Sequence, residues 1–280
     1  MLGRLIGGLL GRGQAPAPQV SFIICSIDDA RFAAVSANIG QCMGGISHEV
    51  VRSRNARSLT AAYNKALQQS RGELVVFCHD DIEILQADFG QRLLADLAEH
   101  DVIGVAGTSL MVDGYWGTAG QPHLYGQVLQ KNQDKPGYTL YMFDFHDRPM
   151  PPIQGLDGLF IAAHRSAAGQ IGFDSEHFDG FHLYDADFAY RAHRAGLKVG
   201  VSRNLLLFHQ SHGDKGEAWE GYMRRFQEKF GASLPAGFDP GPQYALTVQL
   251  EDKAAALPTF LDIRGNPERY LEWPGLQLPA

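Results

Sequence analysis

Three short segments concentrate the side chains that could do chemistry. The first is HDDIEI, His79 to Ile84, directly after the apolar run LVVFC at Leu74 to Cys78. That run reads as a buried strand, and acidic groups at the carboxyl end of a strand stand where open α/β sheets bind ligands. Under strand alternation His79, Asp81 and Glu83 point to one side and Asp80 to the other, so the two aspartates serve different partners. A hard divalent ion such as Mg²⁺ or Mn²⁺ takes one or two carboxylates and completes its shell with phosphate oxygens and water, and Asp81 is the expected ligand. An Asp-Asp pair that turns the chain and caps the next helix accounts for the same residues, so both readings stand at this point.

The second segment is LYDADFAYRAHRAG, Leu183 to Gly196, in which Asp185 and Asp187 open a helix that carries Arg191 and Arg194. Acidic groups in a first turn and basic groups later suit the helix dipole, and for Asp187 that is a sufficient explanation. Asp185 gains a chemical role only if it faces a cleft, where partial burial raises a carboxyl pKa and equips it as a general base. The third segment, LLLFHQSHG at Leu205 to Gly213, places His209 and His212 beyond an apolar strand. They read either as metal ligands or as polar strand caps.

The elements that position these segments follow from the pattern of apolar residues. Val20–Ser26, His48–Ser53, Leu74–Cys78 and Val102–Gly107 read as strands; Arg31–Gln41, Ser58–Ser70 and Asp88–His100 read as helices between them. Such alternation predicts an α/β fold: a mixed, mainly parallel central sheet with helices on both faces. Between Gly114 and Pro152, glycine, proline and aromatic residues mix without a period, as in hairpins and loops that shape a cleft. Gly158–Ala163, Lys198–Ser202 and Leu205–His209 read as further strands, Asp185–Ala195 and Ala218–Phe230 as helices. The expected organisation is an N-terminal segment with a Pro-rich linker over 1–18, one catalytic-sized domain over 19–231, and a loosely structured appendage over 232–280.

Composition narrows the classes of function. With 280 residues, 45% of them hydrophobic, the chain can bury one large core. A formal net charge of −7 offers no field for a nucleic acid, so a phosphate-bearing ligand needs a local device such as a metal. The odd count of cysteines, Cys25, Cys42 and Cys78, points to a reducing, cytoplasmic compartment. No apolar run approaches the roughly 20 residues of a membrane span. Leu2, Leu5, Ile6, Leu9 and Leu10 recur at helical spacing beside Arg4 and Arg12, which reads either as peripheral contact with the inner face of a membrane or as a short terminal helix docked on its own domain.

Taken in order, the opening VSFIICSID, the helix SLTAAYNKAL with RGELVVFCHDDIEI, GLDGLFIAAHRSAAGQIGFD, and FDGFHLYDADFAYRAHRAG with FHQSHG resemble the family 2 glycosyltransferases of GT-A fold, over roughly Ser21 to Phe230. The resemblance implies an inverting, divalent-metal-dependent transfer of a hexosyl group from a nucleoside-diphosphate sugar to a hydroxyl of a glycan or lipid-linked glycan. In that comparison Asp81 matches the metal-binding Asp of the DxD motif and Asp80 lies within it, while His79 stands where the first Asp is usual. Asp185 matches the catalytic base of the ED motif, with Tyr184 in place of the Glu. His209 matches a metal-holding histidine, with His212 as the alternative. Ser26, Asp28 and Asn64 fall where relatives bind the nucleotide, and Asp157 where they face the acceptor. The aromatic segment from Tyr115 to Phe145, including Trp116, Tyr125, Tyr138, Tyr141 and Phe143, is the expected acceptor surface. Two other classes fit parts of the pattern. One is a binding module that has the fold without turnover. The other is a non-haem iron oxygenase using His79, Asp81 and His209, although such enzymes carry their triad on an all-β barrel.

Overall fold

The computed structural model describes residues 19–145, 149–213 and 215–271. The chain begins with strand β1 (Val20–Cys25), helix α1 (Asp29–Cys42), β2 (His48–Ser53), α2 (Leu59–Gln69) and β3 (Leu74–Cys78). Asp28 caps α1 by accepting from the N–H groups of Ala30 and Arg31, and Ser58 caps α2 by accepting from Ala61. These contacts satisfy first-turn donors that have no partner inside the helix. Next come β4 (Ile82–Ile84), α3 (Phe89–Glu99), β5 (Val102–Gly104), β6 (Ala106–Thr108), β7 (Leu124–Lys131), β8 (Tyr138–Met142), β9 (Gly155–Leu156) and β10 (Phe160–His164). The remainder comprises α4 (Arg165–Ile171), α5 (Tyr184–Arg194), β11 (Val199–Val201), β12 (Leu207–His209), α6 (Glu217–Phe230), β13 (Leu246–Leu250) and α7 (Ala256–Gly265).

The first sheet has the order β11-β5-β10-β3-β1-β2, parallel except where β10 runs antiparallel to β3 and β5. Strand alternation sends Phe22, Ile24, Val76 and Cys78 to one face, under Val35 and Ile39 of α1 and Phe89, Leu93 and Leu97 of α3. Ile23, Val75 and Phe77 go to the other, under Tyr63 and Leu67 of α2 and Phe188 and Ala192 of α5. Both faces are covered, which is why β1 and β3 are continuous apolar runs.

A second sheet, β13-β8-β7-β12-β4, lies beyond the carboxyl end of β3. Two expectations change here. The run Val102–Gly107 is two strands, because the chain leaves the first sheet after Gly104 and pairs β6 with β7 and β9 in the second. Gly107 permits the close approach of β9 to β6, since a Cβ there would overlap the Gly155 carbonyl. Residues 232–280 are not a loose appendage as far as they are described. Leu246–Leu250 pairs antiparallel with β8, and α7 inserts Ala256, Phe260 and Ile263 against Leu140, Met142 and Leu206. Alternating Leu246 and Val248 supply the buried face of that strand. Among the described residues no helix is long and apolar enough to cross a membrane. The surface-helix expectation for residues 1–18 lies outside them.

Candidate functional site

The carboxyl ends of β3 and β12, the β9–β10 turn and the first turn of α5 converge on a cleft of about 550 Å³. His79 follows β3 directly, and Asp81 precedes β4. Antiparallel pairing of β4 with β12 sets Ile82 opposite His209, so Asp81 and His209 meet across that ladder. His79 Nδ1, His209 Nε2 and Asp81 Oδ1 form one group: 3.4 Å between the rings, 3.5 Å from His209 to Asp81 and 3.9 Å from His79 to Asp81. The circle through these atoms has a radius of about 2.1 Å, a usual bond length from a divalent cation to nitrogen or oxygen. The donor set and its spacing therefore fit one cation.

The backbone supports this group. Asp81 Oδ2 accepts from the Ser211 N–H at 3.1 Å, and the Asp81 carbonyl accepts from the Gln210 N–H at 3.0 Å. Burial would push the Asp81 carboxyl up, but His209, the Ser211 N–H and His79 hold it well below the carboxylate range. Burial works against a charged His209, and the Asp81 contact outweighs it and raises the imidazole pKa. His79 shifts down, first through burial and then through its neighbour His209. His212 stays outside the group because its Nε2–H donates to the Lys131 carbonyl at 2.7 Å. The group that could hold a cation thus contains His79 and not His212. The same three residues make a two-His-one-carboxylate set, yet they stand at the ends of α/β strands rather than on a β-barrel.

Across the cleft, Asp185 sits in the first turn of α5, with Oδ2 accepting from the Gly158 N–H at 2.8 Å. Burial, and next the charge of Asp157, push its pKa up to about 7 despite the backbone donors that favour the anion. Asp157 itself accepts from the Trp116 indole N–H and from the Leu159 N–H, each at 2.9 Å. A carboxyl with a pKa near neutrality in a cleft is equipped to take a proton from a bound hydroxyl.

The expected acceptor surface is divided between core and cleft wall. Tyr125 and Phe143 are buried, Trp116 is 7% exposed and packs edge-on against Phe143, Tyr138 packs on Phe208, and Tyr141 on Tyr244. Periodicity gave no way to tell which of these rings reach the cleft. Of that segment Tyr115, Trp116 and Phe143 line the cleft, together with Phe181, Trp219 and Tyr244, which lie outside it. Phe181 is 50% exposed, and Trp219 stands on a helix with few buried positions, a signal available in the sequence. Lys215, also unanticipated, holds its ammonium 3.9 Å from the Tyr115 ring centre.

Of the residues expected on the nucleotide side, Ser26 and Asp80 follow neighbouring parallel strands whose register pairs Ile24 with Cys78. Ser26 Oγ donates to the Asp28 carbonyl at 3.0 Å, and Asp28 is the α1 cap. Asn64 has a different role from the expected one. Its amide donates to the Phe173 carbonyl at 2.7 Å and accepts from the Phe173 N–H at 2.9 Å, which clips α2 to the segment after α4.

Fold and site define an α/β protein whose chemistry gathers at strand ends, with a cation-sized donor group facing a carboxyl of raised pKa. From residue 21 to residue 230 the sequence matches the family described as "Glycosyltransferase like family", and the chain belongs to that family. No curated protein sequence matches it. Similar solved structures include GalNAc-T7 with UDP, GalNAc and Mn²⁺, at 9% identity and a TM-score of 0.48, covering 82% of this chain and 60% of that one. The mannosyltransferase PcManGT from Pyrobaculum calidifontis, with GDP-Man and Mn²⁺, is similar at 12% identity and a TM-score of 0.44, covering 73% and 60%. A197 from STIV is similar at 15% identity and a TM-score of 0.40, covering 70% and 87%. The chain thus spans 60% of the length of the first of these.

Proposed function

We propose that this protein is an inverting glycosyltransferase that moves a hexosyl group from a nucleoside-diphosphate sugar to a hydroxyl of a glycan or lipid-linked glycan. The observation that carries the reading is that Asp185, with its pKa raised to about 7, lines the same cleft as His79 and His209, behind which Asp81 is held 3.5 Å from His209. Asp81 and His209 are the residues that hold a Mn²⁺ or Mg²⁺ ion. When bound, the ion supplies the countercharge for the departing diphosphate, a contribution of several kcal/mol. Asp185 removes the proton of the acceptor hydroxyl as its oxygen attacks the anomeric carbon from the face opposite the diphosphate. One displacement of this kind inverts the configuration. Ser26, Asp28 and Asp80 serve the nucleotide side, Asp157 the acceptor side. Tyr115, Phe181 and Trp219 offer ring faces to the apolar faces of a sugar.

The test is release of nucleoside diphosphate from a panel of nucleotide sugars with Mn²⁺ or Mg²⁺, with and without glycan acceptors, by the wild type, Asp185→Asn and Asp81→Ala. Metal-dependent release that is lost in Asp81→Ala and nearly lost in Asp185→Asn supports the reading. NMR of the product then reports the anomeric configuration. Nucleotide binding with no release under any condition, even slow hydrolysis, replaces the reading with that of a binding module.

A further inference from the structure

His79 is held at both ring nitrogens, and the hydrogen bonds assign its proton. Nε2 lies 2.9 Å from the Tyr184 hydroxyl oxygen, and that oxygen lies 2.9 Å from the Gly158 carbonyl oxygen. A phenol has one proton and a carbonyl oxygen only accepts, so Tyr184 donates to Gly158 and its oxygen is left to accept from His79. His79 therefore carries its proton on Nε2. Its Nδ1 presents a lone pair, and that atom is the one 3.4 Å from His209 Nε2 and 3.9 Å from Asp81 Oδ1.

We propose that His79 is the third protein ligand of the cation site, through Nδ1, and that Tyr184 is the positioning residue that fixes its tautomer and ring orientation. The proposal rests on the metal reading given above and deepens it. A metal-ligating histidine characteristically donates its other ring N–H to an oxygen, which sets the tautomer and raises ligand basicity; Tyr184 supplies that oxygen. Two imidazoles and one carboxylate make a nitrogen-rich set. Mg²⁺ prefers oxygen ligands and keeps its waters, whereas Mn²⁺ and the later divalent ions gain more from imidazole, so the site selects Mn²⁺ over Mg²⁺.

The same contacts tie the cation site to the base. Tyr184 grips the Gly158 carbonyl, and Asp185, its sequence neighbour, grips the Gly158 N–H at 2.8 Å. The two side chains close so tightly that a Cβ at Gly158 would overlap the Tyr184 hydroxyl. His79, Tyr184, Gly158 and Asp185 are thereby linked through hydrogen bonds, and the ring that meets the cation and the carboxyl that meets the acceptor share one residue, Gly158, as their reference.

The test uses Mn²⁺ with the full chain, in the presence and absence of UDP or GDP, read by pulsed EPR and by calorimetry. The expected wild-type spectrum carries modulation from two imidazole nitrogens, and that of His79→Ala from one. His79→Ala and Tyr184→Phe each weaken Mn²⁺ binding, by about 10- to 100-fold. The double variant binds no more weakly than His79→Ala, because Tyr184 acts through His79. His79→Asp narrows the gap between Mn²⁺ and Mg²⁺. A single imidazole in the wild type, or Mn²⁺ affinity unchanged in His79→Ala, overturns the proposal and leaves the Asp81–His209 site standing. Absence of Mn²⁺ binding by the wild type in every condition removes the site itself. If His79→Ala does not fold, the imidazole count in the wild type decides alone.

Discussion

The indole N–H of Trp116 donates to Asp157 Oδ2 at 2.9 Å, so a buried aromatic residue fixes the carboxylate whose charge acts on Asp185. Burial raises the Asp185 pKa most, and the like charge of Asp157 adds to it. Asp157→Asn removes only the second cause. The acidic limb of the kcat/KM profile, which reports ionisation of the base, is expected to move to lower pH by about one unit. Trp116→Phe loosens Asp157 without removing its charge and moves the limb less. Rates measured from pH 5 to 9 check both.

Asp185→Asn is expected to lower kcat by about 10²- to 10⁴-fold while nucleotide binding is retained. It also has a stability signature. The folded pKa of Asp185 is about 7, above the value of about 4 in an unfolded chain. A group raised in this way favours the native state below its unfolded pKa, and that contribution is lost as pH rises through the folded pKa. Melting temperatures of wild type and variant should therefore agree near pH 4, diverge in favour of the variant up to about pH 7, and then run parallel.

Lys229 joins α6 to α5 through a buried network. Its ammonium lies 2.6 Å from Asp187, which also takes Arg191, and 2.5 Å from Asp174. Lys229→Met leaves both carboxylates short of a partner and should cost about 3 kcal/mol in urea unfolding at pH 7. Burial would raise the Asp174 pKa, but Lys229 and the N–H groups of His177 and Glu176 hold it well below the usual value. The stability this gives is present above the unfolded pKa near 4 and is lost as pH falls through the folded one. The variant should therefore show a shallower loss of stability on acidification than the wild type.

Ending the chain after Pro240 is expected to abolish cooperative folding. The cut removes Leu246, Val248, Phe260 and Ile263 from the core. At about 1.5–3 kcal/mol each, these four side chains alone approach the whole net stability of an ordinary domain. It also removes Gln243 and Tyr244 from the cleft wall. Circular dichroism melting of the truncated chain, compared with the full chain, is the measurement.

What the sequence determined by itself is what local forces write. Strands His48–Ser53 and Leu74–Cys78 have the bounds read from their apolar runs, and Ser58 and Ser70 flank α2 as its caps. The same local logic singled out Asp81 after a strand and Asp185 in a first helical turn. Tertiary structure decided the rest. His79 and His209 are 130 residues apart, and only the β4–β12 ladder brings them within 3.4 Å, so no periodicity of 2 or 3.6 could choose between His212 and His79. Asn64 was expected at the nucleotide through the family resemblance alone, and folding hands its amide to the Phe173 backbone, a partner of which a helix-face amide carries no mark. The edge pairing of β13 was hidden among prolines for a related reason. A strand's buried face is defined by the neighbour it packs on, and β8 lies about a hundred residues earlier in the chain.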